Sequence, residues 1–115
     1  MSFLNSVEFK QAEAKAQATN DYSYLLGLFV PLAENGNAEA QCYLASMYHL
    51  GTGVTSSGIT AAHWYELAAK QGYSLASNNL SSLYGTGEAD LAANLKLSAY
   101  WHKKSLAQGF PAWVI

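Results

Sequence analysis

The feature that most constrains this chain is that it repeats itself. Ala40, Leu44, Ala45 and Tyr48 recur 36 residues later as Ala76, Leu80, Ser81 and Tyr84. Trp64, Gln71 and Gly72 recur 37 residues later as Trp101, Gln108 and Gly109, and Gly36 lies 36 residues before Gly72. A period of this length belongs to a supersecondary unit that cannot bury its apolar face alone and does so by stacking on its neighbour. The chain is therefore expected to form a short stack of near-identical units. Such stacks present an extended surface, the kind used for binding.

A second set of residues supports the same period. Asp21, Ser57 and Asn94 stand 36 and 37 residues apart, and each can accept a hydrogen bond from a free amide in the first turn of a helix. Each opens a segment that closes at Gly36, Gly72 or Gly109, where glycine takes the left-handed conformation that ends a helix. These three segments are helices B. Shorter helices A are expected to start near Ala38 and Leu75. Their apolar residues Ala40, Leu44, Met47 and Tyr48, and Ala76, Leu80, Leu83 and Tyr84, fall on one face at helical spacing. The stretch from Asn5 to Ala18, rich in Ala, Glu and Lys, favours helix by propensity and reads as a degenerate helix A or an N-terminal cap. Pro31 lies inside the first helix B and should kink or divide it. Gly51-Thr52-Gly53 and Gly85-Thr86-Gly87 each follow a helix A, and the second loop continues through Glu88 to Ala93, three residues longer than its counterpart.

Composition narrows the function. Eight acids face six lysines for a net charge of -2, and there is no arginine. That weighs against nucleic acid, where Arg makes the commonest base contact, and against a guanidinium clamp on phosphate. One cysteine excludes an intrachain disulfide framework and fits a reducing compartment. The N-terminus has no basic segment leading into an apolar run, and no stretch has the length of a membrane span. A cytoplasmic, membrane-free protein of one domain is the expectation.

The segments AEAQCYLASMYHLGTGV and AAHWYELAAKQG closely resemble the Sel-one-like repeat, a relative of the tetratricopeptide repeat with a longer loop between its helices. Residues 38–73 and 74–110 read as two repeats, 1–37 as a degenerate first unit, and 111–115 as an apolar tail. The resemblance implies an all-α, right-handed superhelical solenoid of antiparallel helix pairs, about two and a half repeats long. It also implies protein binding as the usual role, in adaptors, regulators, host-interaction factors and small bacterial immunity proteins encoded beside toxic effectors. Ala45 and Ser81 stand where the family often has Gly. Tyr65 becomes His102, and Ala68-Ala69 becomes Ser105-Leu106, so altered packing is expected at the C-terminal end.

No catalytic signature emerges. Cys42 and His49 share a helix face two turns apart, about 10 Å along the axis, too far for a nucleophilic pair. His63 and His102 have no ligand-spaced partners, and Glu88 with Asp90 reads as a solvated loop. The Gly-Thr-Gly pairs follow helices and so do not read as phosphate loops. No metal and no cofactor are expected, and the aromatics Tyr48, Trp64, Tyr84 and Trp101, which repeat, read as packing between units.

The candidate partner-binding set is instead drawn from helix A positions most of which differ between repeats and so are expected to be free of packing duty: Glu39, Cys42, Tyr43, Ser46 and His49 in the first, Asn78, Asn79 and Ser82 in the second, with Leu50 and Leu75 beside them. In the resemblance, helices A line the concave surface. An aromatic anchor among amides and serines suits a peptide or a protein edge. The reading is a non-catalytic interaction module, foremost a small bacterial immunity or inhibitor protein that binds a toxin or effector. The alternative is a signalling or assembly adaptor. A β-lactam-binding or hydrolysing enzyme, as credited to cysteine-rich secreted relatives, lacks its paired cysteines and its Ser-x-x-Lys motif here. The apolar end, Trp113, Val114 and Ile115, offers a route to a homodimer.

Overall fold

Each helix B ends in the same hydrogen-bonded turn, and that turn sets the repeat. In the computed structural model, which describes residues 5–111, the chain forms six helices: α1 (Val7–Thr19), α2 (Ser23–Glu34), α3 (Ala38–Leu50), α4 (Gly58–Lys70), α5 (Ser74–Thr86) and α6 (Leu95–Ala107). Among the described residues there is no strand, only one isolated bridge between Glu88 and Leu91. Helices B are α2, α4 and α6. After each, Gly36, Gly72 or Gly109 takes a φ of 98°, 89° or 98°. Its amide and the next one then turn back onto the last helical turn: Gly36 N on Ala33 O and Asn37 N on Leu32 O, Gly72 N on Ala69 O and Tyr73 N on Ala68 O, Gly109 N on Leu106 O and Phe110 N on Ser105 O. Carbonyls that would otherwise be orphaned are satisfied, and the chain is aimed into the next helix A.

The helix starts are nearly as regular. Ser57 Oγ accepts from Thr60 N at 3.2 Å, and Asn94 Oδ1 accepts from Leu97 N at 3.1 Å. Asp21 departs from the pattern: α2 begins at Ser23, and the Asp21 carboxylate accepts from Ser23 N and Ser23 Oγ, two residues ahead. Pro31 does not divide α2, which runs unbroken to Glu34. Helix α1 forms over the alanine-rich segment and is capped by Ser6, whose Oγ accepts from Phe9 N. The second Gly-Thr-Gly does not follow its helix, because α5 continues through Gly85 and Thr86 and stops only at Gly87. The longer loop starts there and folds into a tight turn with reciprocal bonds between Glu88 and Leu91.

The helices pack in chain order, α1 on α2 through α5 on α6. Two apolar clusters result. Phe9, Leu25, Phe29, Leu44 and Met47 fill the first, and Ala61, Tyr65, Leu80, Leu83 and Trp101 fill the second. Helix α3 serves both, with Ala40 and Leu44 in one and Cys42 and Ala45 in the other. Of the four repeating aromatics, Trp101 is buried while Tyr48, Trp64 and Tyr84 are half-buried at the cluster edges. At the C-terminal end the packing does change. Ala62 and Ala69 are buried on α4, but their counterparts Ala99 and Leu106 on α6 are exposed, and His102 is half-buried where Tyr65 is enclosed.

Polar residues link the units as regularly as the apolar ones. Gln41 is buried and its Nε2 donates to Ala33 O at 3.1 Å, while its Oε1 accepts from Gln71 Nε2 at 2.9 Å. One repeat on, Gln108 Nε2 donates to Ala69 O at 3.0 Å and its Oε1 accepts from Ser77 Oγ at 2.5 Å. Ala33 and Ala69 are equivalent carbonyls in the last turn of successive helices B, so both are satisfied, once by a helix A glutamine and once by the glutamine before the glycine.

The inserted loop also has a structural task. Asp90 reaches across to the start of α4, where it accepts from Ser57 Oγ at 2.8 Å and Ile59 N at 3.1 Å. These bonds, the Ile59 amide foremost, hold its carboxyl below the ordinary value of 3.8. A depressed carboxylate stabilises the fold above its unfolded pKa, and that contribution is lost as pH falls through the folded value. The unfolding midpoint of the native chain is therefore expected to drop below pH 3.8 with a component missing from Asp90→Asn. Parallel pH–stability curves for the two proteins would remove this cap from the fold.

Candidate functional site

The variable positions of helices A converge on one recess. It lies between α3 and α5 and is lined by Glu39, Cys42, Tyr43, Ser46, Tyr73, Leu75 and Asn79, with a volume of about 100 Å³. Small-molecule sites run from roughly 300 Å³ upward, so this space suits one side chain of a larger partner.

Each wall is fixed by packing behind it. Tyr43 is held edge-on by Phe9 and Phe29, with ring centroids 5.1 Å and 4.9 Å away, and its hydroxyl donates to Glu13 Oε2 at 2.6 Å. Burial, reinforced by that carboxylate, pushes the phenol well above its usual range. The ring is thus a rigid wall supported by α1 and α2. Ser46 Oγ donates to Tyr43 O at 2.7 Å within its own helix. On the far side, Asn79 Nδ2 lies 4.0 Å from Cys42 Sγ. Burial raises the Cys42 thiol to about 12. Only the thiolate is a competent nucleophile, so at neutral pH this sulfur is a small apolar filler.

Five of the eight expected partner-binding residues line the recess: Glu39, Cys42, Tyr43, Ser46 and Asn79. His49 lies apart, with Nδ1 3.4 Å from the Tyr65 hydroxyl and its ring edge-on to that tyrosine. Asn78 is half-buried and Ser82 exposed, and neither reaches the recess. The expectation that variable positions are free of packing duty fails for two of them. Cys42 is only 4% exposed and sits in the second cluster, and Tyr43 packs against the first. The reason is geometric: a helix inside a stack is covered from the unit before and the unit after, so it has two buried stripes rather than one. Tyr73 was missed because it lies in the turn before α5. Its counterpart Asn37 caps α3 through Ala40 N, whereas Tyr73 makes no cap bond and lends its ring to the recess. A cap side chain is worth about 1 kcal/mol, so an aromatic at a cap position is the signal that could have found it.

Among the described residues, no group of three or more His, Cys, Asp or Glu is placed to hold a metal, and no helix is long and apolar enough to cross a membrane. Trp113, Val114 and Ile115 lie outside the described residues.

Comparison with known proteins gives a consistent result. The Sel1 repeat profile matches residues 38–73 and 74–110. No curated protein matches the chain. Among solved structures, it is similar to a protective antigen with an SLR fold, present in uropathogenic Escherichia coli strains. That pair shares 30% identity at a TM-score of 0.76, over 89% of this chain and 22% of the other. It is also similar to a Sel1 repeat protein from Oxalobacter formigenes, with 34% identity, a TM-score of 0.69, and 76% of this chain covered against 25% of that one. The chain thus spans about a quarter or less of the length of these solved relatives. Sel1 repeats are in general protein–protein interaction modules. With six helices in stacked pairs, a repeating cap-and-glycine frame and two profile matches, the chain is an all-α solenoid that belongs to the Sel1 repeat family.

Proposed function

We propose that this chain is a non-catalytic module that takes up a segment of a partner protein in the recess between α3 and α5. The observation that carries the reading is that residues differing between repeats, Glu39 against Leu75 and Tyr43 against Asn79, are brought together on a frame built by residues that repeat. The family resemblance puts helices A on the concave surface, where a partner's side chain would enter between Tyr43 and Leu75 while serine and amide groups meet its backbone. A narrower proposal names the partner as a toxic effector, blocked by this chain in the manner of an immunity protein. A rigid, preformed recess supports that role, because little ordering is needed on binding.

The test is quantitative affinity capture from the source cells with the native chain and with Leu75→Glu. Leu75 is 43% exposed, so the substitution leaves the core intact. The expected result is one stoichiometric partner whose recovery falls by roughly tenfold or more in the variant, the effect of losing a central contact. Equal recovery would move the site elsewhere. Expression of the captured partner alone then separates the two readings: growth arrest relieved by co-expression of this chain supports immunity, and no toxicity supports an adaptor.

A further inference from the structure

A second and larger trough lies between successive helices B. It is about 720 Å³, runs between α4 and α6, and is open to solvent along its length. Tyr84, Leu97, Tyr100 and Trp101 give it an aromatic and apolar lining, and Lys70, Lys104 and Glu66 are its charged residues. We propose that this trough binds an acidic peptide segment carrying an aromatic or large apolar side chain.

The repeat supplies the main argument. Shifting each lining residue back by one period gives the equivalent positions between α2 and α4. Tyr84 then corresponds to Tyr48, Trp101 to Trp64, Gln108 to Gln71 and Gly72 to Gly36. These residues are the frame, and they are the same in both places. The positions that change include the charged ones: Lys70 stands where the first unit has Glu34, Lys104 where it has Leu67 and Glu66 where it has Val30, with Tyr100 in place of His63, so one acid in the first unit becomes two lysines and one acid here. Packing does not demand those changes, since Lys70 and Lys104 are exposed and Tyr100 is 53% exposed.

Charge points the same way. Helix α6 carries Lys96, Lys103 and Lys104 and no acid, in a chain whose net charge is -2. Lys70 is paired with Glu66 at 3.0 Å, which leaves Lys104 as the uncompensated cation of the trough among the described residues. Lys104, beside the Lys70–Glu66 pair, leaves the trough with a net positive charge toward carboxylates, while Tyr100 and Leu97 offer the apolar contact that anchors a peptide. This surface is separate from the recess between α3 and α5, with no residue in common.

The test uses a fluorescein-labelled decapeptide of Asp and Glu around a central Trp, with two controls: the same peptide with its acids replaced by Asn and Gln, and one with Lys in their place. Anisotropy titrations against the native chain should give saturable binding to the acidic peptide, weakening with salt as exposed charges are screened. The amide and Lys peptides should bind at least about tenfold more weakly, and so should the acidic peptide to Lys70→Glu/Lys104→Glu, since each reversal turns an attraction into a repulsion. Both lysines are exposed, so an unchanged far-UV spectrum is expected for that variant. Leu75→Glu, which alters only the other recess, should bind the acidic peptide as the native chain does. Equal affinity for all three peptides, no loss on double charge reversal, or no saturable binding would overturn the proposal. So would a native dimer, seen by light scattering, that excludes the peptide and dissociates in the double variant, since the occupant would then be a second copy of the chain.

Discussion

Leu80→Ala is expected to remove about 2–5 kcal/mol from the stability of this fold. Leu80 is completely buried in the second cluster, among residues contributed by α3, α4, α5 and α6. Truncation loses the transfer free energy of the removed carbons and leaves a cavity that the stack can close only by moving one helix pair against the other. The same cluster includes Ala61, Ala68, Ala69 and Ala76, all fully enclosed. These small side chains have no alternative rotamers with which to fill the space, which places the cost toward the upper part of the range. A domain of this size has only about 5–15 kcal/mol in total, so a single methyl-rich side chain carries a large share. Urea unfolding followed by far-UV circular dichroism should show a lower midpoint with an unchanged slope. Leu97→Ala, at a site 37% exposed, is the control and should cost under about 1 kcal/mol. Equal losses at the two positions would mean that the second cluster is not the cooperative core described above.

The same chemical change, Gly to Ala, is expected to act in opposite directions at two helical positions. Within α2, a Cβ on Gly27 meets nothing within 4 Å. Gly27→Ala should therefore stabilise by about 0.5–1 kcal/mol, because alanine restricts the unfolded chain and suits a helix interior. At Gly58, the first residue of α4, a Cβ would lie 2.6 Å from the Glu88 carbonyl oxygen and 2.7 Å from Leu91 Cβ. These contacts are with backbone and with a side-chain root, so no rotamer change relieves them. The inserted loop must lift, and as it does Asp90 leaves Ser57 and Ile59. Gly58→Ala should thus destabilise by about 1–3 kcal/mol, against the direction that helix propensity alone would give. Thermal melts of the two variants beside the native chain decide the matter. A stabilising Gly58→Ala would show that the loop is not closed onto α4.

Much of the fold was legible because its frame is made of local signals that repeat. Ser57, Asn94, Gly72 and Gly109 act within one turn of their own position, so type and spacing suffice to place them. Asp21 shows the limit: its residue type is right, yet its carboxylate serves an amide two residues on and α2 starts at Ser23. The candidate site was legible in part. Comparing repeats singled out Glu39, Cys42, Tyr43, Ser46 and Asn79, which do meet, along with His49, Asn78 and Ser82, which do not reach the same recess. Helical spacing tells which residues share a face of one helix but not where that face meets the next helix. Tyr73 lies in a turn, outside any helical pattern, and only its missing cap sets it apart.

What the sequence determined by itself is the unit: where each helix B starts and stops, which apolar residues recur, and that such units must stack to bury them. These follow from hydrogen bonds and steric preferences spanning a few residues, which carry the same meaning wherever they occur. What only the tertiary structure decided is everything that joins units. It put Cys42 and Tyr43 into packing roles and turned Asp90 from a loop carboxylate into a second acceptor, beside Ser57, at the start of α4. It also used Gln41 and Gln108 for equivalent carbonyls in successive units, and opened one recess between helices A and one trough between helices B. Those contacts run from 8 positions apart, Gln41 to Ala33, to 39, Gln108 to Ala69, and their partners are fixed by how two helix pairs settle against each other in three dimensions, which no local pattern along the chain encodes.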